Sequence, residues 1–250
     1  MELRALETRP VLIDQVYEQL VDAISLGMLP PGHRLRQEKL AADLGVSRQP
    51  VSHALAMLKN AGLAVERGVR GLVVAPVDPE RLYQLFQVRA ELDGLAAGLA
   101  AGRVAADPTL DTAALWACIE QGRVAELARD IATAVDWDMR FHGTVNALSG
   151  NPVLLEVTDA QRPQIRRVMV VIKFDPAIAE RIWQEHAGIA DAICAGDAVL
   201  AGRLAREHAL KAGAETRQKL LDQARPVDGT DAKQGKNRHE TGPDSDRPLP

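Results

Sequence analysis

Between Glu38 and Leu63 the chain reads as two short helices broken at a single glycine, a pattern that admits few folds. Leu40, Ala41 and Leu44 give the first helix one apolar face. Gly45 supplies the turn, where the backbone must often take a positive φ at low cost. Val46 is placed to plug the angle between the helices. Ser47 is placed to cap the second by accepting a hydrogen bond from its free N–H groups. Val51, Ala54, Leu55 and Leu58 recur at helical spacing as a core-facing stripe, which leaves Arg48, Gln49, Ser52 and His53 on the opposite face. Short or forked polar groups on an exposed helix suit base edges and phosphates. The expectation is a helix-turn-helix whose second helix enters a major groove.

The next segment sharpens it. Leu63-Ala64-Val65 and Leu72-Val73-Val74-Ala75 are two strand-like runs around a glycine-containing tip, Glu66 to Gly71. A hairpin directly after a recognition helix is a wing. Arg36 and Lys39 are candidate phosphate contacts, and Arg70 with Gly71 at the wing tip a candidate contact to backbone or minor groove. With Ser47, Arg48, Gln49, Ser52 and His53 they complete the expected DNA-contacting set. The overall formal charge of −4 argues against nucleic acid until it is located. From Arg34 to Arg70 there are seven Lys/Arg against three Asp/Glu. Phosphate attraction depends on charge within a Debye length of ~8–10 Å, so this local excess is what counts.

The 250 residues allow one large or two small domains, and only 3% of them are aromatic while Ala and Leu recur through the middle, which predicts packed helices. No apolar stretch is long enough to span a bilayer, the N-terminus carries no signal-peptide pattern, and Cys118 and Cys194 stand far apart. The expected compartment is the cytoplasm. A helix is predicted over 11–26, stopped by Gly27. Asp78 as N-cap and Pro79 at the first helical position start a new region. The domain reading is 1–76 for the winged part, 77–223 for a helical bundle, and 224–250 for a disordered tail with almost no apolar residues. Within the bundle the predicted helices run 79–105, 110–120, 123–149, 152–173, 176–195 and 197–222. Pro163 should kink or split the fourth, and the β-branched run Val168 to Ile172 is assigned to a helix because of its flanks.

The histidines form a second pattern. His142 lies one turn after Asp138, which puts both on one helix face. His186 and His208 sit on the last two helices, which, joined near Gly196, bring both imidazoles to one level. One carboxylate and three imidazoles suit zinc, nickel, cobalt, copper, iron or manganese, with room for a water or added ligand. On their own, Glu185-His186 and Glu207-His208 read as solvated helix faces.

Taken together the chain resembles the GntR family of bacterial transcription regulators, in the FadR-like branch with an all-helical FCD effector domain. The resemblance spans about residues 12–220. It rests on Arg34 to Ala41, Gly45 to Val51 and Arg70-Gly71, then on Arg89-x-x-x-Asp93, Asp138-x-x-x-His142, Gly150-Asn151-Pro152, Glu185-His186, Gly196-Asp197 and Glu207-His208. The implied fold class is mainly α, a winged helix-turn-helix followed by an FCD-type bundle. The implied function is a ligand-responsive regulator, a repressor, that binds a short palindromic operator as a homodimer. The implied metal ligands are Asp138, His142, His186 and His208, with zinc as the first choice and nickel or another transition metal behind it. The effector expected at the metal is a small carboxylate, with Arg89 and Asn146 as further contacts. Arg89 is equally a partner for Asp93, and Arg140 falls two residues from Asp138, on another face. This chain departs from the family's Val-Arg-Glu-Ala-Leu, carrying Val51-Ser52-His53-Ala54-Leu55, so its operator cannot be borrowed from relatives. The alternatives are a metal-dependent hydrolase or lyase with an accessory DNA-binding domain, for which no general acid or base presents itself, and a purely structural metal.

Overall fold

The computed structural model describes residues 11–68, 71–173 and 175–224. It begins with α1 (Val11–Ser25), α2 (Gln37–Leu44) and α3 (Arg48–Asn60). Val16, Leu20 and Ile24 of α1 bury against Val51, Ala54, Leu55 and Leu58 of α3, with Val46 packed at the edge of the same cluster. Gly45 ends α2 at φ +66°, the left-handed conformation that the turn requires. Ser47 takes the N-cap position of α3 in extended backbone, but its side chain makes no capping hydrogen bond. That expectation fails, and Gln37 instead links α2 to the first residue of α3, its Nε2 donating to the Arg48 carbonyl at 2.7 Å.

Strands β1 (Ala64–Glu66) and β2 (Leu72–Val74) pair antiparallel in the register Ala64↔Val74, Val65↔Val73 and Glu66↔Leu72. They form the wing. Its tip closes with Arg67 N–H donating to the Gly71 carbonyl at 2.9 Å, while the predicted contact Arg70 lies outside the described residues.

Beyond Pro76 come α4 (Pro79–Ala106), α5 (Ala113–Leu127), α6 (Ile131–Leu148), α7 (Pro152–Asp159), α8 (Arg162–Lys173), α9 (Pro176–Cys194) and α10 (Ala198–Ala224). Asp78 caps α4, accepting from the N–H groups of Glu80 at 3.0 Å and Arg81 at 3.3 Å. The 152–173 stretch is split into α7 and α8, with Pro163 in the first turn of α8, where its missing N–H costs nothing. Residues 168–172 are helical. The expected tail from 225 onward lies outside the described residues.

The largest departure from the sequence reading is the boundary between α5 and α6. The break predicted at 121–122 is absent, and α5 runs through Gly122 to Leu127. The chain turns instead at Arg129, a non-glycine residue at φ +57°, after which Asp130 caps α6 through Thr133 N–H at 3.1 Å. Gly122 is there for space. A Cβ on it would stand 2.0 Å from Cη2 of Trp183, a fully buried ring.

The two long helices α4 and α10 run antiparallel, since Phe86 meets Gly213 while Gly94 meets Gly202. A Cβ on Gly94 would stand 3.0 Å from the Gly202 carbonyl oxygen, so small residues set this close approach. Around the pair, Ala96, Ala97, Ala100 and Ala101 of α4, Phe141 of α6, Trp183, Ile189 and Ile193 of α9, and Ala201 and Ala205 of α10 form one core. Leu82, Phe86, Val135, Ile165, Val168, Met169 and Ile182 form a second.

Helix α8 ties the bundle to the winged part. Gln164 Nε2 donates to the Ala61 carbonyl at 2.7 Å, and Arg167 to the Ala75 carbonyl at 2.6 Å. Arg166 pairs with Asp22 of α1 and, at 2.7 Å, with Asp136 of α6. Burial pushes the Arg167 guanidinium below its ordinary pKa.

Gly122→Ala should destabilise the protein by ~1–3 kcal/mol, because the new methyl must displace a close-packed indole. Urea denaturation followed by tryptophan fluorescence measures this, and an unshifted midpoint would show that Trp183 has room to move.

Candidate functional site

Two surfaces carry chemistry. On the winged part, α3 buries Val51 and Leu55 and leaves Arg48, Gln49, Ser52 and His53 exposed, as are Arg36, Lys39, Ser47 and Gly71. Arg48 is engaged within the fold, donating to Glu38 of α2 at 2.6 Å. Both side chains are about two-thirds exposed, and an ion pair of that kind contributes only ~0–1 kcal/mol. A phosphate or guanine can therefore replace Glu38 at small cost.

The second surface lies inside the bundle. His142 on α6, His186 on α9 and His208 on α10 each bring one ring nitrogen within 4.8 Å of the others. Nε2 of His186 lies 3.2 Å from Nε2 of His208. Asp138, fully buried on α6, places Oδ1 3.8 Å from His186 Nε2 and Oδ2 3.9 Å from His142 Nε2. The four sequence-predicted ligands thus converge, although they come from three helices and are separated by as many as 70 positions. Phe141 stacks on the His186 ring with centroids 4.3 Å apart and Trp183 meets it edge-on at 5.2 Å. Gly122, by admitting Trp183, is thus part of what holds His186 in place.

Two carboxylates stand behind this cluster, and sequence reasoning did not assign either to it. Asp93 of α4 lies 3.4 Å from Nδ1 of His142. Arg89 donates to the same Asp93 oxygen at 3.1 Å, so the Arg89–Asp93 pairing forms, and both side chains are buried. Burial pushes the Asp93 carboxyl up, and the charge of Arg89 opposes the rise. Glu185 of α9 lies 2.8 Å from Nδ1 of His208. Burial acts to raise the Glu185 carboxyl, but hydrogen bonds from His208, Lys211 and Arg181 outweigh it and hold it at about 2. Glu185 is thus not the solvated residue its dipeptide suggests. The only signal in the sequence was Arg181, one turn before it on the same face.

A cavity of about 770 Å³ opens beside the cluster, lined among others by Arg89, Asp93, His142 and Asn146. Asn146 is buried and donates to Thr158 Oγ1 at 2.9 Å. Arg140 lines this cavity too, against the sequence reading, as do Cys118, Arg103 and Arg162. Its guanidinium sits 4.7 Å from the Trp137 ring centroid. The cavity wraps around α6 rather than facing only the Asp138–His142 stripe, so a residue two positions from Asp138 still reaches it.

A winged helix-turn-helix joined to a helical bundle that gathers a few polar side chains in its interior is the architecture of a DNA-binding regulator. Residues 84–211 match the family profile described as "FCD domain", and residues 12–74 the one described as "Bacterial regulatory proteins, gntR family". The chain belongs to the GntR family of bacterial regulatory proteins, in its FadR-like branch with an FCD domain. Two relatives carry provisional names. One, from Paenarthrobacter nicotinovorans, is named as the transcriptional repressor of a D-xylose utilization operon; it is 29% identical over 206 residues, 81% of this chain and 85% of the relative. The other, from Escherichia coli (strain K12), is named as the regulatory protein of an L-lactate dehydrogenase operon; it is 28% identical over 211 residues, 75% of this chain and 79% of the relative. A solved structure from Rhodococcus sp. RHA1, likewise provisionally a GntR regulator, shares the fold with a TM-score of 0.68 at 23% identity, covering 82% of this chain and 96% of that one. Family and relatives are transcriptional regulators, not enzymes, which removes the hydrolase alternative. Among the described residues no helix is long and apolar enough to cross a membrane.

Removing one partner of the buried Arg89–Asp93 pair leaves an uncompensated charge. Asp93→Ala in metal-free protein should cost ~3–5 kcal/mol of stability, and Arg89→Met combined with Asp93→Leu should recover most of it. Chemical denaturation of both variants decides; equal losses would mean that Arg89 is compensated elsewhere.

Proposed function

We propose that this chain is a cytoplasmic repressor that binds a short palindromic operator as a homodimer and releases it when a small organic acid binds at a divalent metal in the bundle. The observation that carries this reading is the convergence of three imidazoles and Asp138 from three helices onto one point beside a large cavity. Nitrogen and carboxylate donors at that separation fit a transition-metal ion, with zinc first and nickel or another such metal behind it. Asp138, His142, His186 and His208 would hold the ion. When bound it supplies a Lewis-acidic centre with coordination positions left for a ligand carboxylate.

Around it, this chain's own residues select the acid. Arg89 spends its Nε–H on Asp93, and its terminal N–H groups are our proposed contact to the ligand. Asn146, whose amide donates to Thr158 and which lines the cavity, would orient the ligand. The relatives support the reading from two sides: one is named as a repressor, and the other's operon concerns a small hydroxy acid. On the operator, Arg48 would contact a base or a phosphate, Gln49, Ser52 and His53 would read base edges, Arg36, Lys39 and Ser47 would touch backbone, and Arg70 with Gly71 would touch backbone or minor groove. For the acid to act, it must bind one arrangement of the protein better than the other; equal binding would shift nothing.

Fluorescence anisotropy on a footprinted operator tests the DNA side. Arg48→Ala should weaken binding by ~1–3 kcal/mol at matched salt while leaving the fold intact. Wild-type affinity in the mutant would place the reading helix elsewhere. Elemental analysis tests the metal side: His186→Ala and His208→Ala should each lower bound divalent metal and abolish the operator response to a panel of small carboxylates. Unchanged metal content in both would remove these residues from the ligand set.

A further inference from the structure

Two Glu-His dipeptides occur in the last two helices, and the structure puts them to different uses. Glu207 stays on the surface of α10, paired with Arg203 of its own helix at 3.1 Å, with both side chains more than half exposed. Glu185 turns inward. Although it precedes His186 in sequence, it reaches across to α10 and meets Nδ1 of His208 at 2.8 Å through Oε2. Its other oxygen, Oε1, accepts from Lys211 Nζ at 3.0 Å and from the Arg181 guanidinium. Arg181 is held in turn by Glu215. His208, Lys211 and Glu215 recur on one face of α10, and Arg181 and Glu185 one turn apart on α9, so the chain of contacts laces the two helices together.

Two cations donate to Oε1, so Glu185 is present as a carboxylate, which only accepts hydrogen bonds. The proton in the contact to Oε2 must then belong to the imidazole. That proton on Nδ1 leaves the lone pair of a neutral ring on Nε2, the atom 3.2 Å from His186 Nε2. In water the two tautomers of an imidazole exchange freely. Here the ring is 4% exposed and one of them is selected.

We propose that Glu185 is a positioning residue for the cluster: held by Arg181 and Lys211, it fixes His208 in the Nδ1–H tautomer and aims its Nε2 lone pair at the point shared with His142, His186 and Asp138. The inference rests on the metal reading given above. A carboxylate behind a metal-binding imidazole fixes the ring and raises its basicity, and its loss typically lowers metal affinity about 10–100-fold.

The test uses full-length protein and Zn²⁺ in competition with a chromophoric chelator, comparing wild type, Glu185→Gln, Glu185→Ala and Glu207→Gln. Glu185→Ala should bind Zn²⁺ about 10–100-fold more weakly. Glu185→Gln, whose amide oxygen still accepts from Nδ1–H but lacks the charge, should fall between it and wild type. Glu207→Gln should match wild type. A second readout is independent of metal: long-range ¹H–¹⁵N correlation spectra of histidine-labelled apoprotein should show His208 as the Nδ1–H tautomer in wild type and in Glu185→Gln, and a mixture in Glu185→Ala. Wild type that shows this tautomer but does not bind Zn²⁺ would sink the metal reading and leave the Glu185–His208 contact standing. Wild-type Zn²⁺ affinity in Glu185→Ala, or an unchanged tautomer in it, would overturn the proposal. Should Glu185→Ala fail to fold, Glu185→Gln carries the test, and full Zn²⁺ affinity in that variant overturns it.

Discussion

The bundle is organised by one buried carboxylate, two buried imidazoles and a third, half-buried imidazole gathered in a largely apolar interior. A buried polar group left without compensation costs ~1–3 kcal/mol, so Asp138, His142, His186 and His208 must be brought to one another. That demand fixes α6, α9 and α10 at a common level. It also recruits α4, because Asp93 must reach His142 and must itself be neutralised by Arg89. Small residues make this possible: the α4–α10 approach at Gly94 and Gly202 leaves no space for a Cβ on either side without displacement.

What the sequence made legible was mostly local, the meeting of His186 and His208 with the Asp138–His142 pair being the long-range exception. Helical spacing alone placed Asp138 and His142 on one face, and the apolar stripe of Val51, Ala54, Leu55 and Leu58 fixed which side of α3 is exposed. What it concealed depended on partners distant along the chain. Gly122 looks like a helix stop and is an indentation for Trp183, 61 positions away. The actual stop at Arg129 carries no glycine to announce it. Glu185 and Glu207 occupy identical dipeptides, and only the packing of α9 on α10 separates the one beside an imidazole from the one in solvent. Arg140 was assigned away from the pocket by helical phase, which is a sound guide to a contact at one point and a poor one to a cavity that curves around a helix.

The winged part and the bundle meet through α8, and the chemistry of that seam limits what can pass across it. Gln161, Arg162 and Ile165 border the large cavity. Gln164 and Arg167 bond backbone carbonyls of the winged part, and Arg166 joins Asp22 of α1 to Asp136 of the helix that carries Asp138 and His142. Arg167, which donates to the carbonyl of the buried Ala75, has little freedom to give up its partner, since the stranded acceptor would cost ~1–3 kcal/mol; the Ala61 carbonyl held by Gln164 is half-buried. The seam therefore moves as a unit or stays closed. Filling the cavity affects the DNA-reading helix through this route if the ligand favours a position of α8 that carries the winged part with it, or one in which those bonds are exchanged. A typical allosteric coupling is ~1–3 kcal/mol, about the cost of stranding one such acceptor, so a ligand that broke all of these bonds would have to supply more than that, and a movement that keeps them intact is the cheaper route.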